Sequence, residues 1–292
     1  MPLPRFEAIL TKVMSRNAIA AGAGSAFLLA SLLFVPAAMP AAGPGLQGDD
    51  KASPAQTPSA QLHPVLVELF TSEGCSSCPP ADALLEKIDA AQPIAGAQMI
   101  VLSEHVDYWD HDGWRDPNSS ASLTERQSAY ERNLGKDGPY TPQLVVDGTA
   151  EALGNDVKRV ETVLQSAATT SKVPVRIGEV SIDAGNPGVL RTHIETDVNS
   201  DKHNADVFVA VALDHFESQV LRGENGGRHL THVAVVQQMT KVGKVPKGKS
   251  FGEDVQLKLK PGTDPKNLRI VAFVQESGQG KLLGAALRKP TS

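Results

Sequence analysis

The chain has 292 residues, 41% of them hydrophobic and 21% charged, enough to build sizeable cores in more than one domain. Its formal net charge is −5, and no long block of like charge appears, so nucleic acid is excluded as the main partner. Only two cysteines are present, which excludes a disulfide-stapled scaffold.

Arg5, Lys12 and Arg16 precede a largely apolar stretch, Ala18 to Val35, and small residues cluster from Pro36 to Ala42. This is the pattern of a signal peptide over residues 1–42, or of an N-terminal anchor if it is not cleaved. Both place the remainder outside the cytoplasm, periplasmic or secreted, with membrane contact only through an uncleaved N-terminal segment. Residues 43–62, rich in Gly, Pro, Ala, Gln, Ser and Asp, read as a flexible linker.

Folding is expected to begin near His63. Val65 to Phe70 reads as a buried strand, and Thr71 to Gly74 as a turn. Cys75 and Cys78 follow, then Pro79 and Pro80, which suit the first turn of a helix because their missing N–H groups are not needed there. Ala81, Leu84, Leu85 and Ile88 give that helix one apolar face. Met99 to Leu102 is a second strand, opening into the polar and aromatic segment Ser103 to Asp110. A helix over Leu123 to Leu134, a strand at Leu144 to Val146, a hairpin turn at Asp147-Gly148 and a helix from Val157 to Ala167 complete an α/β unit. From about Val173 the texture changes to period-two alternation, as at Leu190 to Val198 and Val255 to Leu259. Roughly seven short strands with Gly, Pro, Asn and Asp turns favour an antiparallel β-sandwich. The domain boundary is placed between residues 171 and 172.

The cysteines carry the chemistry. A bridge across two intervening residues closes a very small loop and constrains little of the unfolded chain. A closed zinc site needs four ligands, and no second cysteine pair exists. At the start of a helix, the helix dipole favours a thiolate. Cys75 is then the attacking sulfur and Cys78 the resolving one. Thr141-Pro142, an X-Pro bond just before a strand, is a place where a cis peptide occurs, and equally a simple strand start.

Strand, C-x-x-C at a helix start, and a later proline resemble the thioredoxin superfamily. Val67-Glu68-Leu69-Phe70-Thr71-Ser72-Glu73-Gly74-Cys75-Ser76-Ser77-Cys78-Pro79-Pro80-Ala81-Asp82 is more specific. It is similar to the signature of a family of exported bacterial proteins catalogued as domain of unknown function 1223. His105 to Trp109, Tyr140 to Gln143 and Arg222 to Arg228 extend that similarity, which runs from about Leu62 to Leu287. The resemblance implies a thioredoxin-like domain over 63–171 followed by a β-sandwich domain over 172–292, with Cys75 as nucleophile, Cys78 as resolver and Pro142, after Thr141, as a cis-proline facing them. It also implies Glu68 as a buried general base for Cys78, with a strand-edge residue facing water as the alternative reading. The Ser76-Ser77 dipeptide leaves the direction of electron flow open, and a long interval before Pro142 leaves an insertion around Asp110 to Glu125 that covers the site.

Three functions compete. The first is a thiol–disulfide oxidoreductase, with a protein or small-thiol partner and no cofactor. The second is a copper-binding metallochaperone using Cys75, Cys78 and His105, since thiolates and imidazole suit copper. The third is a non-catalytic interaction module, in which the pair is buried or permanently oxidised. The glycine-rich loop Arg222 to Arg228, with His229 and His232, reads as a packed interdomain connection, with a long functional loop as the alternative.

Overall fold

The computed structural model describes residues 62–111, 113–183, 188–199 and 201–290. The expected signal peptide and nearly all of the linker lie outside the described residues. Among the latter there are three α-helices and twelve strands, and no helix is long and apolar enough to cross a membrane.

Strand β1 (His63–Thr71) pairs in parallel with β2 (Ala97–His105) and antiparallel with β3 (Gln143–Val146), which turns at Asp147-Gly148 into β4 (Ala150–Leu153). Alternation along β1 sends Val65, Val67 and Leu69 against helix α1 (Pro79–Ala91) and helix α3 (Val157–Ala168). Helix α1 starts at two prolines and buries Ala81, Leu84, Leu85 and Ile88, while Asp156 caps α3 by accepting from the Arg159 N–H at 3.1 Å. Leu66, Glu68 and Phe70 point to the other face, where helix α2 (Ala121–Leu134) packs with Leu123 and Tyr130. The expected elements of this half are therefore present, and each runs beyond its apolar pattern at one end or both.

The expectation of a thioredoxin-like domain followed by a distinct β-sandwich is overturned by the strand order. One eight-stranded sheet runs β12-β11-β8-β9-β2-β1-β3-β4, and so joins both halves of the chain. The junction is a parallel contact between β2 and β9 (His229–Val245), with Ser103 opposite Val235. A single apolar cluster crosses it, holding Leu66, Ile100, Leu102 and Leu123 together with Ala210, Ala212, Val271 and Phe273. Strands β8 (Ala205–Gln219) and β9 are 15 and 17 residues long. They form one hairpin whose register shifts at Val207/Phe208 and Val211/Ala212. Those shifts and the polar outer ends, such as His215 and Glu217 or Lys241 and Lys244, disguise the two strands as shorter ones. Strands β11 (Leu268–Glu276) and β12 (Leu282–Arg288) extend the edge. A smaller sheet of β10 (Phe251–Lys258), β7 (Val189–Thr196) and β5 (Val175–Ile177), with β6 (Ser181–Ile182) on β7, lies over Val207, Val209 and Val211.

Candidate functional site

The site lies where β1 ends. Its backbone turns through Ser72, whose carbonyl accepts from the Cys75 N–H at 3.2 Å, while Ser72 Oγ accepts from the Gly74 N–H at 3.1 Å. The Cys75 carbonyl then accepts from the Cys78 N–H at 3.2 Å, and the Cys78 carbonyl from the Ala81 N–H at 2.8 Å, so the cysteines form the entry to α1. Cys75 and Cys78 are joined as a disulfide with a sequence separation of 3. A Cβ at Gly74 would stand 3.0 Å from Trp109 Cβ, so glycine lets Trp109 pack directly against the turn. The peptide between Thr141 and Pro142 is cis. Pro142 Cβ and Ala81 Cβ flank the same hollow above Gly154, which sets the proline beside the first turn of α1. Thr141 Oγ1 accepts from Trp109 Nε1 at 2.8 Å.

Both cysteines are 0% exposed, so Cys75, the expected attacking sulfur, is not open to a partner in this form. The tip of the β8–β9 hairpin, from residue 220 to 228, lies against the cysteine turn. Asn225 Nδ2 donates to the carbonyls of Glu73 and Cys75, each at 2.9 Å, and Glu224 accepts from the Ser76 N–H at 3.1 Å. The glycine-rich loop is thus a cover on the disulfide, laid across from the other half of the chain.

Glu68 does not approach Cys78. It points to the α2 face, where its carboxylate accepts from Arg126 Nε at 2.7 Å and from the Tyr130 hydroxyl at 2.6 Å. Arg126 also donates to Tyr130 at 2.7 Å and Gln275 at 3.2 Å, and its guanidinium packs over the rings of Tyr130, Phe208 and Phe273. The α1 helix lies on the opposite face, so Glu68 is an ion-pair residue of the core and not a base for the thiol.

His105 does not reach both sulfurs either. Its Nδ1 pairs with Asp116 at 2.7 Å. Among the described residues, the three His, Cys, Asp or Glu side chains whose ligand atoms already stand within 4.8 Å of one another are Asp201, His203 and Glu276, with no cysteine among them. The expected copper set of Cys75, Cys78 and His105 is not assembled in this disulfide form.

What the structure does gather next to the cysteines is a buried polar chamber that sequence reading did not assemble. Glu73, in the turn, has Oε2 within reach of Trp114 Nε1 at 2.7 Å and Ser218 Oγ at 3.1 Å. Asp116 Oδ2 accepts from the Glu73 N–H at 2.8 Å. His232, on β9, lies 3.8 Å from Glu73 and 3.8 Å from Asp82, with its ring edge-on to His105 at 4.8 Å. Burial pushes the Glu73 carboxyl up, and the Asp116 charge adds to the push. Burial alone would lower the His105 pKa, but Asp116, Asp82 and Glu73 outweigh it and raise it. Asp116 is held down at about 2, because His105 and two backbone N–H donors outweigh its burial.

A C-x-x-C disulfide capped by a hairpin tip, in a mixed α/β sheet that spans both halves of the chain, sets the structural class. The chain belongs to the family described as Protein of unknown function (DUF1223), whose model matches residues 66–275. An X-ray structure of a protein from Agrobacterium tumefaciens is similar over 82% of this chain and 97% of that chain, at 27% identity and a TM-score of 0.60. A domain of the outer membrane lipoprotein Omp28 from Porphyromonas gingivalis overlaps 41% of this chain and 89% of that chain at 13% identity, with a TM-score of 0.27 that is too low to carry an argument. No curated protein matches the sequence.

Proposed function

We propose that the protein is an exported thiol–disulfide exchange protein whose Cys75–Cys78 pair works beneath a movable cover. The observation that carries this is the disulfide's place: a loop of separation 3 at the start of α1. As a staple, so short a loop contributes only about 2 kcal/mol. As an exchange site it has the helix dipole to stabilise the thiolate that forms. A partner dithiol, on a protein or a small thiol, attacks Cys75 Sγ as thiolate. The Cys75–Cys78 bond breaks, and its electron pair leaves on Cys78 Sγ. The partner's second thiolate then attacks the partner sulfur and releases Cys75. The partner ends as a disulfide and the pair as two thiols, and the same steps in reverse oxidise the pair.

Attack requires the 220–228 tip to lift, since neither sulfur is exposed. The tip rests on the cysteine turn through Asn225 and the exposed Glu224. The 0% exposure also favours a second reading, a permanently oxidised pair in a binding module. The two separate in one experiment. Native protein is treated with dithiothreitol, and alkylation of the freed thiols is timed. Exchange predicts labelling of both cysteines without denaturant, at least tenfold faster in Asn225→Ala and also faster in Glu224→Ala. Labelling only in denaturant, at a rate neither substitution changes, would leave the static reading standing.

A further inference from the structure

We infer that the chamber beside the disulfide is a cation site, in which Glu73, His105 and His232 hold one divalent first-row transition metal ion. The inference does not depend on the exchange function, because no sulfur is a ligand.

Its first support is a set of buried polar atoms with nothing to bond. Glu73 Oε1, His105 Nε2 and His232 Nε2 all lack hydrogen-bond partners, as do His232 Nδ1 and Asp82 Oδ1. These residues are between 0% and 5% exposed. Orphans of this kind are few in protein interiors, and five of them are gathered in this one chamber. Its second support is charge. Glu73, Asp82 and Asp116 converge there, and among the described residues no lysine or arginine pairs with any of the three. A cation offsets that burial.

The third support is ligand chemistry. Two imidazoles and a carboxylate form a donor set typical of a zinc or iron(II) site. A metal-bound histidine normally turns its other ring nitrogen to a carboxylate. His105 does so, with Nδ1 on Asp116 at 2.7 Å and Nε2 free. His232 has the same relation, with Nδ1 facing Asp82 and Nε2 facing Glu73, both at 3.8 Å. That separation is too long for a hydrogen bond, yet two ligand atoms each about 2.1 Å from one ion stand ~3 to 4 Å apart. The ligand atoms of Glu73, His105 and His232 do not all lie within 4.8 Å of one another, so binding requires His105 to draw in toward His232, whose ring centroid is 4.8 Å from its own. The ion would tie the cysteine turn, the end of β2 and strand β9 together across the junction of the two halves.

The test uses zinc and the mature chain with its disulfide intact. Protein stripped with a chelator is titrated with zinc by calorimetry, and bound metal is counted by elemental analysis. One equivalent is expected, tightening as pH rises because both imidazoles must shed protons. His232→Ala and Glu73→Gln should lose it, and Asp116→Asn should weaken it 10- to 100-fold. Circular dichroism establishes which variants are folded, and only those are scored. His203→Ala, which disrupts the surface Asp201–His203–Glu276 group, and the Cys75→Ser/Cys78→Ser double variant should both keep the ion. Absence of binding to folded wild type overturns the inference. So does zinc that survives His232→Ala, or zinc that is lost with His203 or with the cysteines.

Discussion

Glu104 and His105 are neighbours on one strand, yet they enter two buried polar chambers of opposite character. Alternation sends Glu104 to the α2 face, and His105 to the side where the cysteine turn lies. The first chamber contains its own cation: Arg126 neutralises Glu68, Tyr130 and Gln275 close the network, and aromatic rings shield it. Burial, with the nearby Glu68 charge, pushes the Glu104 carboxyl well above its ordinary value, and Arg126 opposes the push. The second chamber has three carboxylates, two imidazoles and a row of unbonded atoms. The first chamber has unbonded atoms too, at Glu104 Oε1 and Oε2 and at Arg126 Nη1, so its guanidinium, and not the count of unbonded atoms, separates the two. The chamber beside the disulfide has carboxylates that no lysine or arginine among the described residues pairs with, and that is where a cation would offset their burial.

The contrast can be broken at Arg126. Arg126→Met strands Glu68 and Glu104 in the core and is expected to cost about 3–5 kcal/mol. Urea unfolding checks it, and a loss under about 1 kcal/mol would mean the first chamber does not depend on its cation. A finer cut is Tyr130→Phe, which deprives Glu68 Oε2 and Gln275 of a partner. Its expected cost is about 1–3 kcal/mol with the fold unchanged. The smallest effect belongs outside both chambers, at Asp214, which with Asp89 clamps Arg269. Burial would raise the Asp214 pKa, but Lys289 and Arg269 outweigh it and hold it below 3.8. The folded state therefore favours the carboxylate. Its contribution is complete above pH 3.8 and fades as pH falls through the lowered folded value. Asp214→Asn should cost at most about 1 kcal/mol at pH 7, and the difference from wild type should shrink in acid unfolding curves.

The elements themselves were largely legible, because each announces itself locally: the apolar run at Val65 to Phe70, the two prolines after Cys78, the period-two stretch at Leu190 to Val198. The turn at Asp147-Gly148 was legible for the same reason. What the local pattern did not carry was who pairs with whom. The β2–β9 contact joins Ser103 to Val235 across the whole middle of the chain, and nothing in either strand's alternation names the other. That one contact turns two expected domains into one sheet. The site divides in the same way. Cys75 and Cys78 stand together by local motif and Pro142 lies beside the first turn of α1, whereas Glu68, taken by analogy as a base for Cys78, faces α2. Glu73 and His232 were both visible as residues in a turn and near a glycine-rich loop. Their meeting depends on the length of the β8–β9 hairpin, which its register shifts and polar ends concealed.

The most direct test of the exchange function is the equilibrium of the Cys75–Cys78 pair with graded mixtures of reduced and oxidised dithiothreitol, read by trapping free thiols in the native protein. The exchange function predicts reversible reduction at a potential above about −300 mV. A pair that stays oxidised to well below that value in folded protein would contradict it.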